Sequence, residues 1–294
     1  MVKHRLPYGR GSVTKAVAVT HAVAVTRAVA LGLLATACYA GSVTAIPAVE
    51  NGYRQMYNLQ FDEAHKTFEA FEREHPKDPI GVVSNAAAYL FAEFDRLNIL
   101  HSEFFVEDSM FRRRPKLTAD PAARKAFDAE LAKSLQLSDA ILAQSPHDPD
   151  AMFVKIMALG LRADFVALID RHYLDSLNVM KSSRATAEEL LKIEPGYYDA
   201  YLAVGVENYL LSLKAAPIRW FLQINGAETD REKGVQNLRL TAEKGHYLCP
   251  YARLLLAVAA LRNKDKAQAR DILTKLAVEF PQNRLYSEEL ARLQ

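Results

Sequence analysis

The sequence predicts an all-α chain made of consecutive antiparallel helix pairs. Three observations carry that expectation. A ladder of rungs recurs, in which a small or apolar residue is followed by another four positions later and by a helix stop eight positions after that. The rungs are Ala64, Phe68 and Pro76; Ser134, Ser138 and Pro146; Ser183, Ala187 and Pro195; Gly234, Leu238 and His246; and Ala269, Leu273 and Pro281. No strand pattern and no glycine-rich hinge interrupts these segments. Gly and Pro number only 12 each in 294 residues, which leaves room for long regular stretches.

The first unit runs from Val49 to Pro76. Gly52 lies twelve residues before Ala64, so both are small where two antiparallel helices would cross closely. Phe68 fills the wedge to the next helix. Pro76 ends the second helix, because its ring and missing N–H cannot continue the hydrogen-bond ladder. Phe61-Asp62-Glu63-Ala64 reads as the start of that second helix, with acids in the first turn where the helix dipole favours them. This Gly…Ala-x3-Phe…Pro spacing is that of the tetratricopeptide repeat. Ten residues after the first four stops come Ala86, Ile156, Gly205 and Leu256, each expected inside the next first helix.

Successive stops are 70, 49, 51 and 35 residues apart, and only the last interval approaches an uninterrupted repeat of about 34. The array is therefore expected to be an irregular tetratricopeptide-type α-α superhelix with inserted helices and loops. One insertion is placed at His101 to Pro121, where Arg112-Arg113-Arg114-Pro115 reads as an exposed loop. A second covers Asp164 to Ser176, as a lengthened helix. A third covers Lys214 to Asp230, and Asp230 is an N-cap for the helix after it. The tail from Arg284 to Gln294 reads as the polar capping helix that a solenoid needs.

Residues 1–45 have a different character. A hexamer recurs at Thr14–Val19, Thr20–Val25 and Thr26–Leu31, and a short apolar run follows from Ala28 to Ala37. Val43-Thr44-Ala45 fits a small-x-small cleavage signal, so the stretch reads as a bacterial-type secretory leader, with 46–294 as one helical domain. The apolar run is too short to span a membrane. Cys38, after Ala35-Thr36-Ala37, loosely resembles a lipoprotein cleavage box, with Leu34 one position early. The leader holds five Lys/Arg (Lys3, Arg5, Arg10, Lys15, Arg27) and no acid. Taking those five from 37 leaves 32 basic against 35 acidic residues, a net charge of −3. That near-neutral balance argues against nucleic acid as a partner. Export, to the periplasm or to the envelope as a peripheral protein, is the expected location.

Cys249 alone would remain after cleavage, so no intramolecular disulfide is expected. Beside Pro250 and ahead of an apolar helix, it reads as a buried small residue. No Walker A loop, GxSxG elbow, HExxH or CxxC occurs. No catalytic residue, metal site or cofactor is expected, and the eight His are scattered, with His246 reading as a turn residue.

Tetratricopeptide arrays bind along the face lined by the first helix of each pair. The positions expected there form a candidate groove of Tyr53, Met56, Tyr57, Phe91, Phe153, Met157 and Tyr209. The face is apolar and aromatic. It lacks the Lys, Arg and Asn of the carboxylate clamp, which excludes that mode of docking. Two readings stay open: a groove for an apolar ligand or amphipathic helix, or a core closed over by the insertions. Glu207 and Asn208 interrupt an apolar helix and must be satisfied if buried, with Arg219 and Arg231 as candidate partners. Pro217 to Ile224, which holds the only Trp, reads as a plug across the array or as a segment touching a membrane surface.

Gly205-Val206-Glu207-Asn208-Tyr209-Leu210-Leu211-Ser212-Leu213, then Pro217, Gly226 and Asp230 to Leu238, resembles the tetratricopeptide-repeat-39 and inclusion-body-clearance family. The layout also resembles exported bacterial repeat proteins. The resemblance implies an all-helical scaffold and brings no catalytic residues. The expected function is a non-catalytic scaffold for an unknown protein partner. The alternative is a carrier of a lipid or other apolar ligand in the concave face.

Overall fold

The structure is a computed structural model that describes residues 46–101, 117–212 and 230–294. Among them are eleven α-helices and no strand. They are α1 (Pro47–Tyr57), α2 (Phe61–Glu74), α3 (Pro79–Arg96), α4 (Pro121–Leu142), α5 (Pro149–Phe165), α6 (Tyr173–Ile193), α7 (Tyr201–Ser212), α8 (Arg231–Lys244), α9 (Cys249–Arg262), α10 (Lys266–Glu279) and α11 (Arg284–Arg292). Each packs on its neighbours in sequence. In addition, α1 packs on α3 and α3 on α5, so the first helices of the first three pairs share an inner layer.

The starts are written in the sequence as an acid before a proline. Asp78, Asp120 and Asp148 each precede a Pro at the first helical position, where the missing N–H costs nothing. Each carboxylate accepts from N–H groups of the first turn: Ile80 at 3.0 Å, Ala122 and Ala123 at 2.9 Å, and Ala151 at 2.9 Å. Asp230 caps α8 as expected, accepting from Glu232 and Lys233. Asp265 and Asn283 cap α10 and α11. At the other end, α2, α4, α6 and α10 all stop just ahead of the prolines of the ladder. His246 replaces the proline after α8, and there the turn depends on Gly245. A Cβ on that residue would sit 2.5 Å from the Thr241 carbonyl and 2.8 Å from an Asp199 carboxylate oxygen.

The first two residues of every rung are buried, with close approach the reason for their size, whereas the stops are not. The Phe68 ring lies over Gly52, 2.3 Å from where a Cβ would stand. At the α7–α8 crossing the backbones themselves touch, for a Cβ on Gly234 would come within 2.7 Å of Tyr209 N. Serine fits the rungs because its hydroxyl finds a carbonyl. Ser134 donates to Leu131, Ser138 to Ser134, and Ser183 across to Ile156 of α5.

Two expected features take another form. The segment Asp164 to Ser176 is not one lengthened helix. A single π-helical turn, Val166–Asp170, prolongs α5, the chain breaks at Arg171 in the left-handed region (φ 64°), and the rest becomes the first turn of α6. Arg124 of α4 clamps that turn by two hydrogen bonds to Asp170, at 2.6 and 3.0 Å. The tail forms α11, but it is amphipathic, with Leu285, Tyr286 and Glu289 buried against the body. Residues 1–45, residues 102–116 with the expected loop at Arg112–Pro115, and all of the third insertion before Asp230 lie outside the described residues.

The chain also returns on itself. Tyr247, in the α8–α9 turn, stacks on Tyr53 at 5.1 Å and accepts at its carbonyl from Tyr57 Oη at 3.0 Å. The Ile46 N–H donates to Tyr247 Oη at 3.4 Å, and His246 Nε2 lies 2.7 Å from Glu50. The α10–α11 turn joins the same end, with Asn283 Nδ2 donating to the Tyr57 carbonyl at 2.8 Å and Gln282 N–H to Asn58 Oδ1 at 3.1 Å. Arg284 pairs with Asp95 at the end of α3. The face of α1 that the repeat pattern turns inward is thereby covered by the last part of the chain.

Candidate functional site

Coverage of the inner layer is incomplete. A cavity of about 100 Å³ remains between α1, α3, α5, α6, α7 and α9. It gathers five of the seven groove positions: Tyr53, Met56 and Tyr57 from α1, Phe91 from α3 and Met157 from α5. They come together because their i, i+3 and i+4 spacing puts them on one helical face. Aromatic contacts run round the wall, with Tyr57 edge-on to Phe91 at 6.4 Å and Phe91 edge-on to Tyr251 at 5.4 Å. Met180 of α6 adds a third methionine, and such side chains repack easily around different shapes.

The polar groups on this wall are few. Tyr53 Oη lies 3.2 Å from Ser84 Oγ and 3.8 Å from Met157 Sδ. Burial holds the Tyr53, Tyr57 and Tyr251 hydroxyls well above the ordinary tyrosine pKa, so they act as neutral groups. Asp199 accepts the backbone N–H groups of His246, Tyr247 and Leu248 at 2.8, 3.3 and 2.9 Å, and so fixes the α8–α9 turn. Asp164 is different. Its single hydrogen bond among the described residues comes from Tyr251 Oη, at a long 3.5 Å. Burial pushes its carboxyl up to about 7. Sequence reasoning missed Asp164, although it stands seven residues after Met157 and three after Leu161, on the same helical stripe.

The other singled-out residues lie elsewhere. Phe153 packs on Tyr197 at 4.9 Å, away from the cavity. Tyr209 belongs to a separate small cluster with Leu238 and Ala259. Glu207 and Asn208 are buried, and Arg184 of α6, which the pattern did not single out, approaches Glu207 at 3.5 Å. Arg231 turns instead to Asn263 and lies 6.0 Å above the Tyr209 ring. Arg219 lies outside the described residues, as does the segment 217–224.

A second, more polar cavity of about 250 Å³ lies at the starts of α3 and α5, with Asp78, Asp148 and Asp150 on its wall. Its acids are committed: two cap their helices, and Asp150 accepts from Tyr197 Oη at 2.9 Å. Among the described residues no group of three or more His, Cys, Asp or Glu is placed to hold a metal, and no helix is long and apolar enough to cross a membrane. Cys249 is buried and donates its thiol to the Ala242 carbonyl at 3.0 Å. Burial pushes its pKa up, away from the thiolate a nucleophile needs. No protein-family model matches the chain, and no curated protein matches it in sequence.

Proposed function

We propose that this chain is a non-catalytic binding protein, an irregular tetratricopeptide-type superhelix that holds a small apolar ligand in its inner layer. One observation carries the reading: the apolar cavity of about 100 Å³ beneath the returning C-terminal helices. Protein interiors are packed like crystals and keep few voids larger than a water molecule. A void with an aromatic and methionine wall, in the middle of otherwise filled rungs, is what a ligand site requires. An apolar void of roughly 150 Å³ accepts benzene; this one is smaller, at about 100 Å³, but is not enclosed, so a single-ring occupant would extend into its mouth. The superhelix reading rests on the buried rungs and on first helices packing against one another.

Toluene is the probe for this reading. Its saturation of the purified chain should raise the melting temperature, since a ligand that binds only the native state stabilises it. Gly160 stands on the cavity wall, where a Cβ would meet no heavy atom within 4 Å. Gly160→Leu should fill the space and abolish the rise. An unchanged melting temperature in the parent protein at saturating toluene would sink the reading.

A scaffold for a protein partner is the second reading. It would use the outer surface, where Tyr173 and Leu174 stand exposed at the start of α6. Export goes with either reading and is supported by the leader pattern. N-terminal sequencing of the product should find a start near Ile46, and a chain beginning upstream of Ala28 would overturn export.

A further inference from the structure

We infer that the cavity is built for an amine: a small hydrocarbon or aromatic body carrying one protonated amino group, with its N–H bonds directed at the Asp164 carboxylate. The inference rests on the ligand-binding reading above and goes further, to the charge of the ligand.

Sign comes first. Among the described residues no Lys, Arg or His lines the cavity, whereas two carboxyl groups do. Fatty acids, phosphates and other anions are thereby disfavoured. Of the two acids, Asp199 is already occupied by three backbone N–H groups. Asp164 is not. It is half-buried and lines the cavity.

The rest of the fold supplies a contrast. Glu93 is held by Arg96 at 2.7 and 2.8 Å and by the Asp120 N–H at 2.9 Å. Arg184 approaches Glu207, and Arg292 approaches Glu289 at 2.9 Å. Together with Asp199, these are the fully buried carboxylates among the described residues, and each has a cation or several N–H donors; Glu130, half-buried like Asp164 and likewise pushed up to about 7, has Lys133 beside it and lines neither cavity. A carboxyl facing an apolar space without such a partner is costly to keep, and structures rarely keep one without use. Tyr251 offers a single long hydrogen bond and no charge. Among the described residues no charged group contributes to the electrostatics of Asp164. A protonated amine supplies what is missing. Its cation would also face the rings of Phe91, Tyr57 and Tyr251, which attract positive charge.

The test is calorimetric titration of the full chain at pH 7.5 with benzylamine and with its neutral isostere benzyl alcohol, and with n-butylamine and n-butanol as a smaller pair. Benzylamine or n-butylamine should bind at least about ten-fold more tightly than its alcohol, as a charge-assisted hydrogen bond in a dry site predicts. Asp164→Asn should reduce the amine to the affinity of the alcohol and leave the alcohol unchanged. Tyr251→Phe should keep the preference for the amine. Amine affinity should also rise from pH 5.5 to 8, as Asp164 becomes free of its own proton. Equal affinity for amine and alcohol in the parent protein overturns the inference but leaves the apolar cavity standing. Binding of neither overturns the ligand reading and this one with it. A preference that survives Asp164→Asn overturns the assignment. If that variant does not fold, the pH profile of the parent protein decides, and a flat profile is the overturning result.

Discussion

Asp164→Asn should make the protein more stable at pH 8 and progressively less so as the pH falls toward 4. The carboxyl stands at about 7 in the fold against 3.8 in an open chain, and burial is the first cause. Between those two values the folded chain holds a proton that the unfolded chain has lost, so stability falls as pH rises through the window. Below about 4 both states are protonated and the group costs nothing. At 1.36 kcal/mol per pKa unit the cost is about 2 kcal/mol at pH 5 and about 4 kcal/mol at pH 8, as upper limits. Asparagine has nearly the same shape and cannot ionise, so it escapes the cost. Urea denaturation of parent and variant at pH 5 and pH 8 gives the difference at each pH, and the gap between the two should be at most about 3 kcal/mol. A variant equally displaced at both values, or less stable than the parent at pH 8, would refute the argument. Either result would mean that Asp164 is ionised and paired in the fold.

Three further outcomes follow from the packing. Gly234→Ala should destabilise by about 1–3 kcal/mol, because its Cβ meets backbone that cannot yield. Gly160→Ala, with open space around it, should stabilise by up to about 1 kcal/mol, and urea midpoints compare the two. Asp199→Ala strands the three N–H groups of the α8–α9 turn, which should speed amide exchange at His246, Tyr247 and Leu248 well before the helices open. Iodoacetamide should label Cys249 slowly in native protein at pH 7.5 and quickly after unfolding in urea; fast native labelling would contradict its burial and raised pKa.

The ladder was legible because two helices in contact tolerate only certain volumes at a fixed register. Gly52 under Phe68, and Gly234 against Tyr209, are such places, and a four-and-eight spacing records them. The groove positions were legible through helical periodicity, which needs no knowledge of the neighbours. Asp164 was legible in principle. The groove positions on that helix, Phe153 and Met157, are chosen for being apolar, while the informative residue is the polar exception. Partner choice was not legible. That Arg184 approaches Glu207, and that Arg231 goes to Asn263, depends on how α6, α7, α8 and α9 stack, and sequence distance says nothing of it. The cover over α1 is of the same kind. Tyr247 and Asn283 carry no local pattern that names Tyr57 as their partner.

The bond between Asn283 and Tyr57 joins residues 226 positions apart. At roughly 5–20 residues per second of synthesis, α1 would leave the ribosome about 10–45 s before its last partner exists. During that interval Tyr53, Met56 and Tyr57 present an uncovered sticky surface. Nascent molecules of this protein are therefore expected to depend on holding factors, and the slowest folding step should be the docking of the chain's end onto its beginning.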